Sequence, residues 1–283
     1  YFPYYQHRLD GSENRFDFTP GYRTRYGAFV LGSYTWRLND TVDGVLRADY
    51  RSKRGGAGGA DLNLHLGQWG ETALNYYYLH DEDPSYGDPA EVPPADRQRF
   101  GLNYNATPYT NLNFKAQVNY LSDSLLLHDF FESDYRLNPQ PSTFVEITKL
   151  FNNFSFDVLT VGRINEFFET VERLPDVQLT GFRQQVFDTP LYYESKSSIG
   201  YYNREFAITN EVPTGLDYAA ARADTYQQLT LPQTFLGWLN VIPRVGGRWS
   251  YYGEASGPGG TTEATSRTVF NTGAEATFKT SRL

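Results

Sequence analysis

Two histidine–aspartate pairs, His80-Asp81 and His128-Asp129, are the first residues of this sequence that suggest chemistry. A histidine beside a carboxylate can act as a general base in a hydrolase, provided that it has a nucleophile to activate. The sequence contains no cysteine and no Gly-x-Ser-x-Gly elbow that would supply one. We therefore interpret both histidines as solvated loop residues and predict no catalytic residue.

Two further segments carry groups that bind ions. The run HDEDPSYGD offers the oxygen ligands that Ca²⁺ prefers, but its spacing matches no EF-hand loop. Its acidic residues are Asp81, Glu82, Asp83 and Asp88. The segment 52–59, SKRGGAGG, lacks the Gly-Lys-Ser/Thr ending of a phosphate-binding loop, and we interpret it as the flexible end of a hairpin. We predict no metal and no cofactor, with calcium binding by the acidic run as the alternative.

The elements that position these loops are predicted to be strands. Residues 111–120, NLNFKAQVNY, alternate polar and apolar side chains without a break, which places the two kinds on opposite faces of a strand. The pattern recurs at 15–26, 42–51, 61–66, 99–105 and 239–250. We predict about 14 strands of roughly 9–14 residues, with a helical exception at 122–133.

The predicted connections alternate in length along the chain. Short ones lie at 37–41, 66–71, 105–110, 151–154, 187–191 and 231–235, and long polar ones at 51–60, 80–97, 121–142, 164–175, 204–219 and 253–266. An up-and-down membrane barrel is built in this way, with short periplasmic turns and long extracellular loops. Aromatic residues near the strand ends, such as Trp36, Trp69 and Tyr251, suit the headgroup level of a bilayer.

The composition narrows the possible classes of protein. Aromatic residues make up 17% of the chain, which is typical of a membrane β-barrel with aromatic rings at its two lipid interfaces. The net charge is −8 and there is no block of Lys or Arg, which argues against a nucleic-acid partner. No stretch approaches the ~18 consecutive apolar residues of a membrane helix. The absence of methionine and of a signal-like apolar start leads us to interpret the sequence as an internal segment of a longer protein, with a processed chain as the alternative.

These patterns predict an all-β fold, an antiparallel transmembrane β-barrel that is partial in this chain. In such a barrel the apolar face of each strand meets lipid and the polar face lines a wet lumen. We predict that Leu112, Phe114 and Val118 face lipid, together with Val42 and Leu46. The predicted lumen-facing residues of the same strand are Asn113, Lys115, Gln117 and Asn119.

Several motifs, taken in order, resemble the LptD (OstA/Imp) family of outer-membrane lipopolysaccharide-assembly proteins. They begin with YFPYYQHRLDGSENRFDFTPGYRTRYGAFVLGSYTWRLND and continue through DYRSKRGGAGGADLNLHLG, NYYYLHDEDP, NYLSDSLLLHDFFESDY, VERLPDVQL and RADTYQQLTLP…GWLNVIPRVGGRWSYY. Together they cover nearly the whole chain. The chain departs from the family in having Ser33 where a second strand proline is common, and in lacking the cysteines of interdomain disulfides.

The resemblance implies a domain order and a transport function. Residues 1–14 would end a periplasmic jelly roll, and residues 15–283 would form the first part of the barrel. The whole protein would pass lipopolysaccharide sideways into the outer leaflet of the outer membrane, and would not be an enzyme. Its lateral gate would include Pro20, Gly21, Tyr22 and Thr24.

The resemblance also implies partners. These would be lipopolysaccharide, outer-membrane lipid, an LptE-like lipoprotein plug, and a periplasmic bridge that binds through an N-terminal domain outside this sequence. A porin or receptor barrel is the alternative interpretation, followed by a barrel lipase or deacylase.

Overall fold

A computed structural model of the chain describes residues 5–7, 14–85, 92–209, 211–261 and 263–278. The strands are β1 (Tyr5–His7), β2 (Arg15–Arg23), β3 (Gly27–Arg37), β4 (Val42–Arg51), β5 (Gly55–His65), β6 (Glu71–His80), β7 (Asp96–Tyr109), β8 (Leu112–Leu121), β9 (Thr143–Leu150), β10 (Phe154–Gly162), β11 (Thr170–Gln185), β12 (Tyr192–Glu205), β13 (Ile208–Thr209), β14 (Val212–Pro213), β15 (Tyr218–Thr230), β16 (Gln233–Phe235), β17 (Leu239–Tyr252) and β18 (Thr265–Phe278). Two short helices, α1 (Leu126–Phe130) and α2 (Glu132–Leu137), and a 3₁₀ turn at Gly67–Trp69 complete the described elements.

The protein is all-β, and nearly all of its strands belong to one large antiparallel sheet in which strand order follows chain order. Of the described strands, only β13 and β14 lie outside it, and they form a separate hairpin. Apart from β1, β13, β14 and β16, every described strand has eight residues or more, which agrees with the predicted number of about 14. No ladder between β2 and β18 occurs among the described residues, so the sheet is open there.

The described residues fall into two compact units. The first comprises Tyr1–Val145, Gly162–Thr170 and Phe206–Thr214, and the second comprises Glu146–Val161, Val171–Glu205 and Gly215–Leu283. The first unit therefore contains β1 to β8, the start of β9 and both helices, as well as two later segments, the second of which carries the β13–β14 hairpin. Within it, β1 pairs with β2 and extends the sheet by one short strand.

The prediction of a long link at 51–60 is wrong. Strand β4 runs through Arg51 and β5 begins at Gly55, so that the glycine-rich segment is paired strand rather than a flexible hairpin end. Glycines fit here because neighbouring side chains occupy the space, and a Cβ on Gly59 would lie 2.8 Å from Cδ2 of Tyr77. A segment without side chains shows no alternation, which is why its strand was missed.

Two predicted short turns are displaced along the chain. Strand β7 continues through 105–108 to Tyr109, with a bulge between Ala106 and Tyr109, and the turn itself lies at 110–111. Segment 231–235 includes strand β16, and the chain reverses instead at 236–238, where Leu236 and Gly237 both have positive φ. Long links do separate β6 from β7, β8 from β9, and β17 from β18. The predicted helical segment at 122–133 contains α1 and the start of α2.

Very few apolar side chains are buried. Among the described residues they are Tyr26, Tyr77, Leu79, Ala106, Leu121, Leu126, Leu127 and Phe130, all in the first unit. Most of them form a cluster between α1 and the ends of the nearby strands. No described apolar side chain of the second unit is buried. Among the described residues this small cluster is therefore the hydrophobic core of the protein, and the second unit has none.

The large apolar side chains instead lie exposed on one face of the sheet. In the first unit this face carries Leu46, Tyr76 and Phe100. Leu46 lies opposite Ala60, Ala60 lies opposite Tyr76, and Tyr76 lies opposite Phe100. In the second unit Leu229 lies opposite Val245, and Trp249, four residues further along β17, lies on the same face. No described helix is long and apolar enough to span a membrane.

Candidate functional site

The strand that first showed perfect alternation separates its side chains as predicted. Strand β8 pairs with β7 so that Gln117 lies opposite Asn103 on one face, while Val118 lies opposite Leu102 on the other. The ring centroids of Phe114 and Tyr104 are 5.4 Å apart on that second face. Leu112, Phe114 and Val118 are each half-buried, and Leu46 is 49% exposed. The faces are therefore distinct in chemistry as well as in geometry.

Polar residues of β5 to β8 line a cavity of about 340 Å³ on the other face. Lys115 and Gln117 contribute to its wall with Asn63, His65, Glu71, Asn103 and Asn105. The remaining lining residues are Thr72, Ala73, Tyr104, Ala116 and Phe144. Asn113 and Asn119 lie on the same face of β8 but are not in this wall. Asn113 accepts a hydrogen bond from Thr107 at 2.7 Å, and Asn119 donates one to the carbonyl of Ser142 at 2.8 Å.

A cluster of buried ion pairs, which we call the loop anchor, lies at the strand ends of the first unit. It consists of Arg54, Arg97, Asp81, Asp123 and Asp129, and none of these side chains is more than 9% exposed. Arg54 donates two hydrogen bonds to Asp81, of 2.7 and 2.5 Å, and Arg97 donates two to Asp123, of 3.0 and 2.6 Å. Such bidentate pairs are the geometry in which a buried guanidinium is best compensated.

The loop anchor ties α1 to the strands. Arg97 also donates to Asp81 at 3.1 Å and to Asp129 of α1 at 2.9 Å, which joins the two pairs into one network. The ring of Phe130 lies 4.8 Å from the guanidinium carbon of Arg54 and 5.1 Å from that of Arg97. Cation–π contacts of this kind gain strength where water is excluded. The helical link between β8 and β9 is therefore fastened against the polar face.

In both histidine–aspartate pairs the aspartate belongs to the loop anchor and the histidine hydrogen-bonds an aspartate beside it. His80 hydrogen-bonds Asp96 at 2.8 Å, while Asp81 turns inward to the arginines. His128 Nδ1 lies 3.2 Å from Asp129, whose other oxygen is bound by Arg97. Burial raises the pKa of Asp81, but the hydrogen bonds and charge of Arg54, followed by the hydrogen bond from Arg97, outweigh it, so that its pKa lies below the usual value.

The acidic run does not assemble a metal site in the described part of the chain. Asp81 accepts hydrogen bonds from two arginines and from the backbone N–H of Asp83, which occupies the oxygens that a cation would need. No group of three His, Cys, Asp or Glu side chains is placed to hold a metal among the described residues. Asp88 lies outside the described residues.

Strand β2 carries three of the four residues proposed by resemblance to form the gate. Pro20, Gly21 and Tyr22 lie within it, whereas Thr24 lies in the turn that follows. The carbonyl of Thr24 accepts a hydrogen bond from Lys53 at 3.1 Å. A Cβ on Gly21 would lie 2.3 Å from Cζ of Phe29, so an aromatic ring from β3 covers this glycine. Tyr22 is 70% exposed.

The missing amide hydrogen of Pro20 faces away from β3. Ser52 donates to the carbonyl of Ala28, so Ala28 and, two residues on, Val30 direct their backbone groups towards β4. Val30 is the residue opposite Pro20, and this pair is therefore not a hydrogen-bonded one. The nitrogen of Pro20 consequently points to the other edge of β2, the edge on which β1 pairs at residues 16–18.

Sequence reasoning missed the loop anchor entirely. Its charged residues come from separate links, and Arg54 and Asp129 are 75 positions apart in the chain. Alternation indicates which face a strand residue occupies, but not which loops meet above it. The two histidine–aspartate pairs were the only sequence signal near the loop anchor, and their aspartates, Asp81 and Asp129, are members of it.

The fold and these faces define an all-β protein built on one large antiparallel sheet, with an exposed apolar face and a polar face that holds cavities. No family model matches the chain, and no curated protein matches it.

Proposed function

We propose that this chain is part of an outer-membrane β-barrel that transports lipopolysaccharide and releases it sideways into the outer leaflet. The observation that carries the proposal is the pair of contrasting faces, with large apolar side chains exposed on one and charged or amide side chains lining cavities on the other. Water would penalise so much exposed apolar surface, whereas lipid would cover it. A polar lumen would hydrate the sugar part of the cargo.

The choice of lipopolysaccharide rests on the resemblance to the LptD family, and the geometry of β2 supports it. A strand that must part from a neighbour opens more easily where one ladder bond is missing, and Pro20 lacks its donor on the outer edge. The acyl chains would pass directly into lipid as the strands part. The proposal includes an LptE-like plug and a periplasmic bridge as partners, an outer-membrane location, and transport without covalent catalysis.

Depletion of the full-length protein tests this function. In cells that carry it under a repressible promoter, newly made lipopolysaccharide labelled by a radioactive pulse should stop reaching the surface before growth slows. A matched culture depleted of an unrelated outer-membrane barrel should export lipopolysaccharide normally. Unchanged export combined with slower uptake of small solutes would refute the proposal and favour a porin.

A further inference from the structure

A second cavity, which we call the basic cleft, lies on the polar face of the second unit. It has a volume of about 540 Å³, within the range of small-molecule sites. Its wall contains four cationic side chains, one carboxylate and four uncharged polar side chains. The lining residues are Arg173, Gln178, Lys196, Ser198, Tyr202, Arg222, Asp224, Tyr226 and Arg248. No sequence pattern pointed to this set.

Strand register explains how these residues meet. Lys196 of β12 lies opposite Tyr226 of β15, which in turn lies opposite Arg248 of β17. Two residues further along β12, Ser198 lies opposite Asp224 of β15. Residues opposite each other in an antiparallel ladder point to the same face, so three neighbouring strands aim these groups into one volume. The cleft is thus fixed by the backbone of regular strands and not by a loop.

The positive charge of the basic cleft is only partly compensated. Asp224 is shared by Arg248, at 2.9 Å, and Arg222, at 3.8 Å, and it also accepts from the hydroxyl of Ser250. Arg173 pairs with Asp176 at 3.0 Å. Lys196 has no acidic partner in the part of the chain that the structure describes, and its side chain is exposed. Two carboxylates therefore oppose four cations, which leaves an excess of positive charge.

We infer that the basic cleft binds a phosphorylated sugar. Guanidinium groups and an unpaired ammonium bind phosphate oxygens, and tyrosine, serine and amide groups hydrogen-bond sugar hydroxyls. Both kinds of group are interleaved in the cleft wall. The inference deepens the proposed function and rests on it, because lipopolysaccharide carries phosphate on its sugars. Lys196 supplies the charge that the phosphate neutralises, while Arg222 and Arg248 hold the rim in place through Asp224.

Binding of a soluble fragment tests the inference. We would titrate the full-length protein in lipid nanodiscs with glucosamine 1-phosphate and, separately, with glucosamine and with inorganic phosphate. Glucosamine 1-phosphate should bind most tightly, and Lys196→Ala should weaken its binding about tenfold or more. Lys196→Arg should retain most of the affinity. Lys149→Ala removes a lysine of the same unit that is outside the cleft, and should leave affinity unchanged.

The outcomes separate this inference from the proposed function. Equal loss of affinity in Lys196→Ala and Lys149→Ala would refute the assignment of the cleft, as would tight binding of unphosphorylated glucosamine. Equal affinity for inorganic phosphate would refute recognition of the sugar. Absence of glucosamine 1-phosphate binding, in a protein whose depletion still stops lipopolysaccharide export, would refute the cleft and leave the proposed function standing. Because Lys196 is exposed, loss of folding is not expected, and heat-modifiable migration on a gel checks it.

Discussion

At Pro20 the lack of an amide hydrogen affects only one side of strand β2, the edge away from β3. Pro20→Ala would add a donor to that edge and strengthen pairing there by about the 0.5–1.5 kcal/mol of one net hydrogen bond. We expect slower delivery of lipopolysaccharide to the surface with normal barrel folding, measured by pulse labelling in cells that carry the full-length variant.

Pro243→Ala is the matched control for this change. Pro243 lies in β17 opposite Ala274 of β18, inside the sheet and far along the chain from β2. Delivery should be normal in this variant. Equal slowing by both substitutions would show that any strand proline matters and would contradict a special role for the edge of β2.

Asp81 offers a second residue-scale prediction because its carboxylate joins two buried arginines. Asp81→Asn keeps the shape but removes the charged bidentate partner of Arg54 and one charged partner of Arg97, which should cost about 3–5 kcal/mol of local stability. Hydrogen exchange should then show loss of protection in α1. Asp40→Asn removes an exposed pair with Arg37 and should change nothing measurable. Retained protection of α1 in Asp81→Asn would contradict an anchoring role.

The same carboxylate predicts a dependence on pH. Its pKa is lower in the folded loop than the value of about 3.9 in an unfolded chain. Its stabilising contribution is therefore complete above that value and disappears as the pH falls through the folded pKa. Hydrogen exchange of α1, corrected for intrinsic rates, should show protection that is constant from pH 7 to 5 and falls below about 4. In Asp81→Asn this acid transition should be weaker, and an identical transition would assign it to another group.

At the scale of the element, β8 allows a comparison of its two faces at adjacent positions. Val118→Arg in the full-length protein should destabilise the barrel by about 2–4 kcal/mol if the site lies near the bilayer midplane, because it puts a charge into lipid. Gln117→Arg, one residue away and lining a polar cavity, should cost little. Unfolding in detergent or lipid measures both. Equal tolerance, or the reverse order, would contradict the facing of this strand.

Alternation predicted most of the strands and the division of β8 into two faces, because successive side chains of a strand point to opposite faces of the sheet. It failed at Gly55–Ala60, where glycines have no side chains to alternate, and at 105–108, where a bulge prolongs β7. It also could not reveal the loop anchor or the basic cleft. Those depend on which strand ends and which registers come together, and that information is not local in the sequence.

At the scale of the whole molecule, the open sheet predicts how the isolated chain behaves. Among the described residues β18 pairs only with β17, so it has an unpaired edge. Unpaired edges cannot be satisfied by lipid, and they promote aggregation. Residues 1–283 refolded alone in detergent should therefore yield aggregates by size-exclusion chromatography. A monodisperse, heat-modifiable species would contradict this and favour a small complete barrel such as a porin.

The loop anchor also constrains how this protein can diverge during evolution. Its two arginines and three aspartates share their hydrogen bonds, so replacing a single member takes a charged partner away from the buried groups that it contacts. We expect the loss of one partner to be tolerated only where a second change compensates for it. Substitutions at Arg54, Asp81, Arg97 and Asp129 should therefore be inherited together, as a block, while the exposed links around them drift independently.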